Sequence, residues 1–348
     1  MKVVVVSHAS ANLRQRLFFN ELANHCNVLS LAPLQWNNEK LTDFPFARKF
    51  EEFGSQPTDF DMFNYTFPVT PHFIYDMNPD IVYCMEEPWS FQAWLTVMAA
   101  KTAGKKVGIF TWQNIPIQLP PHLQNIEEVV VNSVDFMVFG NKEAQRIYFA
   151  KRAMPNILLP QVGIETSLFK PSENTSIKRK LLFVGRMVEN KGVLDILHAV
   201  NMLTDIENLS ISFLGDGELH KHISDNIKIP AEVLPRQPYE KLYEIYQKHN
   251  ILLCPSQMTQ GWVEQYAPFS SHEGQSCGLN VITTPTGAIP FWNEGRVAYV
   301  PEKNAERLAE VIRSFVDKEI DPKRWDFIDA NFSNRVVAEK LASFFKVI

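Results

Sequence analysis

The sequence lacks long apolar runs, an excess of basic residues and a cysteine framework. No stretch reaches the roughly 18 apolar residues of a membrane-spanning helix, and the apolar start at residues 3–6 is too short for a signal peptide. A net charge of −5 implies no broad basic surface for nucleic acid, and a local basic patch remains the alternative. The four cysteines are scattered without a C-x-x-C pair, which argues against a zinc knuckle or disulfide framework. We therefore expect a cytoplasmic protein, soluble or at most peripheral at a membrane.

Glycine motifs for dinucleotides and clear metal motifs are also missing. A dinucleotide oxidoreductase requires G-x-G-x-x-G after the first strand, but residues 7–12 contain no glycine, and the run 215–217 lacks the third glycine. The run 59–61 has the form Asp-x-Asp but lies in a proline-bearing stretch without clear periodicity. His220 and His222 are two residues apart and do not share a helix face. The sequence thus predicts neither a nicotinamide cofactor nor a metal.

Short β-branched runs alternate with longer amphipathic stretches, which is typical of parallel sheets covered by helices on both faces. The 348 residues suffice for two domains with full cores. Residues 160–174 resemble a linker, and we place the boundary near residue 170. Residues 36–70 are interpreted as an irregular excursion. The predicted strands are 3–6, 28–31, 81–84, 107–110, 136–139, 180–184, 209–214, 251–254 and 280–283, and the predicted helices include 13–23, 90–102, 142–150, 239–247, 304–316 and 336–345.

A predicted strand in the second half ends in a glycine turn that carries two cations. Gly185 and Arg186 follow the strand, and Lys191 opens the next helix. Sheets of this kind bind ligands beyond the carboxyl ends of their strands. Two fixed cations there can neutralise the charge on a departing diphosphate, a role that other enzymes give to a metal ion. A surface turn with solvated side chains remains the alternative.

A second stretch, residues 264–278, carries two carboxylates. Residues 271–277 are predicted to form a helix whose free N–H groups face the cations. Glu273, in its first turn, can accept hydrogen bonds from a ribose diol, or it can simply complement the helix dipole. Glu264 precedes Pro268, where no dipole explains it. One site could therefore hold a diphosphate at one end and hydroxyl groups at the other, as a sugar nucleotide requires.

These elements carry a family resemblance. The order V-G-R-x-x-x-x-K-G, L-G-D-G-E-L, C-P-S, a glutamate-bracketed loop and C-G-L-N-V-I-T-T-P-T-G resembles the second domain of retaining GT-B glycosyltransferases of glycosyltransferase family 4. The resemblance implies an α/β fold of two Rossmann-like domains facing across a cleft. Residues 1–170 would form the acceptor-side domain and residues 171–330 the nucleotide-sugar domain. The C-terminal helix, within 331–348, would cross back onto the first domain.

The resemblance also implies the reaction. A sugar, of hexose type, would move from a nucleotide-diphosphate sugar to a hydroxyl acceptor with retention of configuration and without a metal or other cofactor. The acceptor would be a carbohydrate, a lipid-linked group or a small molecule. The residues carried over as catalytic are Arg186, Lys191 and Glu264. Those carried over for donor binding are Gly185, Arg186, Lys191, Gln237, Gln265, Tyr266, Ala267, Phe269 and Glu273.

The sequence departs from the family pattern at the sugar contact. The family usually separates its glutamates by seven residues, whereas eight lie between Glu264 and Glu273. Gln265 has the usual spacing without the charge. Either the loop contains one extra residue or Gln265 takes the contact. Pro268 has no N–H to offer a phosphate.

The acceptor side would come from loops after strands of the first half, with His8, Glu86, Trp112 and Gln113 as candidates. Core packing is the alternative for the tryptophan, and a structural role is the alternative for the histidine. A rival function is a nucleotide-sugar or carbohydrate-binding protein that has this fold without turnover. Donor hydrolysis would distinguish the two.

Overall fold

The structure, a computed structural model, describes residues 1–36, 39–41, 44–58 and 65–348, with only the backbone of Glu39. The chain forms two compact units. Unit 1 comprises Met1–Gly163 together with Asn334–Ile348, and unit 2 comprises Ile164–Ser333. Among the described residues, no helix combines the length and apolarity needed to cross a membrane.

Unit 1 contains, within its described part, a seven-stranded sheet in which every neighbouring pair is parallel. The central strands are short apolar runs, as expected for strands covered on both faces. The order is β5-β2-β1-β6-β7-β8-β9, and β3 and β4 form a separate antiparallel pair. The strands are β1 Lys2–Val6, β2 Asn27–Pro33, β3 Gln35–Trp36, β4 Glu39–Lys40, β5 Glu51–Ser55, β6 Ile81–Cys84, β7 Lys106–Thr111, β8 Phe136–Phe139 and β9 Asn156–Leu158.

The helices of unit 1 that precede the C-terminal one begin at side-chain caps or prolines, which satisfy or remove free N–H groups. Asn12, Ser90 and Asn141 accept from backbone N–H groups in the first turns of their helices. The C-terminal helix, Asn334–Val347, belongs to this unit, where Phe345 packs on Tyr83 of β6 with 5.4 Å between ring centroids. The other helices are α1 Leu13–Leu22, α2 Pro71–Met77, α3 Phe91–Thr102, α4 Pro121–Ser133 and α5 Lys142–Lys151.

Unit 2 repeats the layered arrangement around a six-stranded parallel sheet of order β12-β11-β10-β13-β14-β15. Its strands are β10 Lys180–Val184, β11 Ser210–Leu214, β12 Ala231–Leu234, β13 Ile251–Cys254, β14 Asn280–Thr283 and β15 Ala298–Tyr299. Its helices are α6 Val193–Asn201, α7 His220–Asn226, α8 Leu242–Tyr246, α9 Phe269–Ser276, α10 Ile289–Asn293, α11 Ala305–Phe315 and α12 Lys323–Phe332.

Two local predictions differ from the structure. The stretch 36–70, expected to be irregular, contains β5, whose residues pair in parallel with β2. That strand is polar and partly exposed at the sheet edge, so its sequence shows no alternation that would reveal it. Helix α9 begins at Phe269 rather than 271, directly after the N-cap Pro268. Glu273 is therefore the fifth residue of α9 and not part of its first turn.

Candidate active site

The cationic turn follows β10 and packs against the loop after β13. Gly185 continues the ladder by donating its N–H to Leu214, and a 3-10 turn, Glu189–Lys191, follows. Gly192 has φ +69°, and a Cβ there would lie 1.9 Å from the carbonyl oxygen of Pro255. Only glycine permits this approach. The turn thereby brings Lys191 to the loop that carries Glu264.

Lys191 and Glu264 form an ion pair across 73 residues of sequence. Lys191 Nζ lies 2.5 Å from Glu264 Oε1, and the side chains are 19% and 7% exposed. Ser256 Oγ donates to the same carboxylate oxygen at 2.6 Å. The ammonium also lies 4.3 Å from the ring centroid of Trp262, within cation–π range. Lys191 is therefore held by a carboxylate and an aromatic face, and the solvated-turn interpretation does not describe it.

The backbone of Glu264 is fixed independently of its side chain. Its carbonyl oxygen accepts the N–H of Ala288 at 2.9 Å. Gly287, with φ +57°, packs so closely that a Cβ would lie 2.1 Å from that oxygen. The loop can therefore present the carboxylate to Lys191 in one defined position.

Arg186 has a different environment. Its side chain is exposed, and it makes no hydrogen bond or ion pair with any described residue. The two cations of the turn thus differ in their availability. Arg186 is open to an incoming anion, whereas Lys191 must exchange or share its carboxylate partner.

Glu273 lies in the buried interior of α9, with 1% of the residue exposed. Tyr246 donates its hydroxyl to Glu273 Oε2 at 2.9 Å. Burial of Tyr246 beside this carboxylate raises its pKa well above the usual range, so it remains a donor at any physiological pH. Because Glu273 lies outside the first turn, the dipole interpretation weighed for it does not apply.

The other predicted donor residues differ in how they are placed. Tyr266 and Ala267 are buried, and the Tyr266 hydroxyl lies 2.9 Å from His272 Nδ1. Burial lowers the pKa of His272 to about 4, so the ring is neutral and accepts this bond while its Nε2–H donates to Trp292. The Tyr266 side chain therefore faces the interior. Gln265 and Phe269 are partly exposed, and Gln237 follows β12 with its amide donating to Pro235.

In unit 1, His8 and Glu86 follow neighbouring strands and form a dyad. His8 Nδ1 lies 2.5 Å from Glu86 Oε2, and the His8 backbone N–H donates to the other carboxylate oxygen. Trp36 packs on the imidazole at 4.8 Å between ring centroids, and the Tyr65 hydroxyl lies 3.1 Å from Nδ1. Burial lowers the pKa of His8, but the Glu86 charge and hydrogen bond outweigh it, with Glu87 adding to them, so the net pKa is raised. No pattern in the sequence indicates that Trp36 or Tyr65 lies beside this histidine.

Trp112 and Gln113 lie at the end of β7 and contribute mainly to local structure. The Trp112 ring covers Gly140, where a Cβ would lie 2.0 Å from a ring carbon. Gln113 is buried, and its amide oxygen accepts the Tyr148 hydroxyl at 2.7 Å. Glu87 accepts from the Thr111 hydroxyl at 2.5 Å and from the Trp112 N–H at 2.8 Å. The loop end is thus organised around the Glu87 carboxylate.

Glu87 should make the stability of unit 1 depend on pH. Burial raises its pKa from 4.5 to about 7, against the hydrogen bonds from Thr111 and Trp112, which lower it. The folded state then holds a proton that the unfolded chain loses, so this contribution is complete below pH 4.5 and is lost as pH rises toward 7. Glu87→Gln should remove the decline. Since the Glu87 side chain is partly exposed, we expect the stability of unit 1 to fall by about 1–2 kcal/mol between the ends of this pH window.

Urea unfolding at several pH values, followed by amide exchange of unit 1 strands, measures this difference. At each pH, the free energy of unfolding of Glu87→Gln is subtracted from that of the wild type. This difference isolates Glu87, because the other carboxylates contribute equally to both proteins. Glu143→Gln, at an exposed position of α5, is the matched control. A difference that stays constant across the window would contradict the assignment.

No group of three or more metal-binding side chains occurs in the part of the chain that the structure describes. The Asp59-Phe60-Asp61 run considered as a metal motif lies outside those residues. His220 and His222 lie in α7, and the four cysteines are all buried and free.

The chain resembles known proteins both in sequence and in fold. Residues 165–331 match the family model described as glycosyl transferases group 1. No curated protein matches the chain. Solved structures resemble it over nearly all of its length, and three of them serve as examples. HepE of Anabaena, solved with UDP, has a TM-score of 0.72 at 12% identity, covering 100% of both chains.

Two further examples are a synthase and a glycosyltransferase. Sucrose-phosphate synthase of Thermosynechococcus elongatus has a TM-score of 0.70 at 14% identity, covering 100% of this chain and 98% of that one. A glycosyltransferase of Rickettsia africae has a TM-score of 0.72 at 14% identity, covering 99% and 98%. At these identities the likeness concerns the fold. The chain therefore has the GT-B glycosyltransferase fold, with residues 165–331 matching the glycosyl transferases group 1, as the predicted resemblance implied.

Proposed function

We propose that this protein is a glycosyltransferase that moves a sugar from a nucleoside-diphosphate sugar to a hydroxyl group of a carbohydrate or lipid-linked acceptor. The observation that carries the proposal is the Lys191–Glu264 pair beside Arg186 at the carboxyl end of β10. It lies within the segment that matches the glycosyl transferases group 1. Cations for a diphosphate and a carboxylate for sugar hydroxyls are thereby in direct contact.

Four side chains of unit 2 carry out three tasks in this proposal. Arg186 and Lys191 neutralise the charge that develops on the leaving diphosphate, which is the largest electrostatic demand of the reaction. Glu264 exchanges part of its contact with Lys191 for hydroxyl groups of the transferred sugar. Glu273 accepts hydrogen bonds from the ribose, as ionised carboxylates do well.

Unit 1 would bind the acceptor. Glu86 fixes the His8 ring by bonding Nδ1, which leaves Nε2 to face a ligand. Among the described residues, Nε2 makes no hydrogen bond. An acceptor hydroxyl could form a hydrogen bond with this nitrogen. Such a bond requires no charge on the acceptor, which is consistent with a carbohydrate or other polyol group.

The configuration would be retained. The acceptor oxygen attacks the anomeric carbon from the face that the diphosphate leaves. The new C–O bond forms as the bond to the phosphate oxygen breaks, and a donor phosphate oxygen takes the acceptor proton. This step rests on the resemblance to retaining enzymes, and the ion pair at Lys191 is compatible with it.

A binding screen followed by a transfer assay tests the proposal. Calorimetry with nucleoside diphosphates, beginning with UDP because HepE was solved with it, identifies the base. The matching nucleotide sugars are then supplied with glycan and lipid-linked acceptors, and the anomeric configuration of the product is read by NMR. Tight diphosphate binding without transfer or donor hydrolysis would favour a binding protein of the same fold. An inverted product would overturn the same-face step alone.

Activity should survive chelation. Two side-chain cations already supply the positive charge at the proposed diphosphate site, so a bound metal ion has no task there. We expect the transfer rate in excess EDTA to equal the untreated rate within about twofold. Loss of activity in EDTA that manganese or magnesium restores would favour a metal site, and Asp59→Asn and Asp61→Asn would then locate it.

A further inference from the structure

A polar cavity lies at the amino ends of the unit 2 strands, opposite the carboxyl ends that carry the proposed donor site. It has a volume of about 370 Å³ and lies at the amino ends of β10, β11 and β12. Its lining contains two ammonium groups, two hydroxyls, an imidazole and one carboxylate. These side chains belong to Lys180, Lys248, Ser210, Ser212, His249 and Glu232.

Lys180 and Ser210 form a donor pair at the cavity. Lys180 Nζ donates to Ser210 Oγ at 3.0 Å. Because the ammonium can only donate, Ser210 must direct its own O–H elsewhere, and Lys180 keeps further N–H groups. Lys248 is exposed beside them. Neither lysine has a carboxylate within ion-pair distance among the described residues.

His249 and Ser212 supply a hydroxyl whose direction depends on protonation. His249 Nδ1 lies 2.7 Å from the Ile245 carbonyl oxygen, to which it must donate, and Nε2 lies 3.0 Å from Ser212 Oγ. In the neutral ring, Nε2 can only accept, so Ser212 directs its proton to the imidazole. When the ring is protonated, Nε2 donates to Ser212, and the serine O–H becomes available to a ligand. Both residues are 7% exposed, so water replaces these bonds poorly.

We propose that this cavity binds a phosphate group, either inorganic phosphate or the phosphate of a small monoester. The lysine and serine donors match tetrahedral oxyanion chemistry, in which charge-assisted hydrogen bonds are the strong ones. Glu232 lines one side and limits the net positive charge to that of one lysine, which favours a weak effector over a tightly held group. The site is distinct from the proposed donor site, since β10 runs from Lys180 at this edge to Val184, next to Gly185.

Binding at this cavity should be linked to the proton on His249. Burial lowers the pKa of His249, and the charges of Lys180 and Lys248 lower it further, against the Ile245 hydrogen bond and Glu232, which raise it. An anion beside the two lysines offsets their charge and therefore raises the pKa. By reciprocity, binding tightens as pH falls toward the lowered pKa of His249.

The test follows the His249 ring by NMR in the full chain, with its signal assigned from a His249→Gln variant. Sulfate, whose charge is constant over this pH range, is titrated against chloride at equal ionic strength. Inorganic phosphate and glycerol phosphate form further arms that separate the two sources. We expect a saturable shift with sulfate and an affinity that is severalfold tighter near pH 5 than near pH 7.5. Lys180→Ala with Lys248→Ala should weaken binding about tenfold or more.

Two controls separate this site from others. Arg186→Ala should leave the His249 response intact, although it weakens any anion bound at the proposed donor site. Lys323→Ala, at an exposed position of α12 that does not line the cavity, should also leave it intact. A response that is linear in salt, or that persists in the double lysine variant, would overturn the proposal. Failure of nucleotide-sugar transfer would not affect it.

Discussion

Arg186→Ala should lower the rate of sugar transfer by about 10²–10³ while leaving unit 2 stable. The side chain would meet charge that develops in the transition state, so its loss affects turnover more than ground-state binding. It is exposed and makes no ion pair with a described residue, so its removal leaves no buried partner behind. Initial rates of transfer and thermal unfolding of the same preparations measure both effects.

Lys191→Ala should lower turnover by a similar factor and should also destabilise the protein. The substitution leaves Glu264, 6% exposed, without its ammonium partner, which costs about 1–3 kcal/mol. A Lys191→Ala/Glu264→Gln double variant should recover stability without recovering transfer. Glu189→Ala, at an exposed position of the same turn, is the control and should behave as the wild type does. Wild-type turnover in Arg186→Ala and in the double variant would refute the diphosphate assignment.

The second large effect is expected at Glu264. Glu264→Gln should reduce transfer by about 10² or more, because a neutral amide bonds sugar hydroxyls and a developing cation less strongly. The affinity for the bare nucleoside diphosphate should be unchanged or higher. The reason is the ion pair, since a neutral side chain no longer competes with the diphosphate for Lys191. Calorimetry with the diphosphate beside a transfer assay separates the two quantities.

Gln265→Ala should be mild by comparison. Gln265 has the spacing usual for the family, but it is Glu264 whose carboxylate lies against Lys191. Glu273→Gln should instead weaken the nucleotide itself. Tyr246→Phe is its control, because it removes the hydrogen bond to Glu273 and keeps the carboxylate. A crippling Gln265→Ala together with a silent Glu264→Gln would show that the usual spacing holds and that the sugar contact is assigned wrongly.

Much of the fold could be predicted from local sequence. Strands β1, β6 and β13 have the sequences KVVVV, IVYC and ILLC, which are predominantly apolar and are buried in the sheet interior. Such strands must be apolar on both faces, so they stand out from their surroundings. Strand β5, EEFGS, has no such requirement at the sheet edge, and only its pairing with β2 makes it a strand. The start of α9 could have been found from Pro268, since proline is favoured at helix starts.

The sequence by itself determined the cationic turn and the presence of two glutamates, because an apolar strand followed by glycine marks a turn by local backbone requirements, and the charged residues beside it can be read directly. Only the tertiary structure decided which carboxylate meets Lys191. That contact joins residues 73 apart and depends on Gly192 approaching Pro255 and on Gly287 approaching Glu264. The roles of Ser256 and Trp262, and the His8–Glu86 dyad between residues 78 apart, were decided in the same way. Spacing along a chain constrains neighbours within a turn or strand, whereas contacts between loops follow from the order of strands in the sheet, which no single segment encodes.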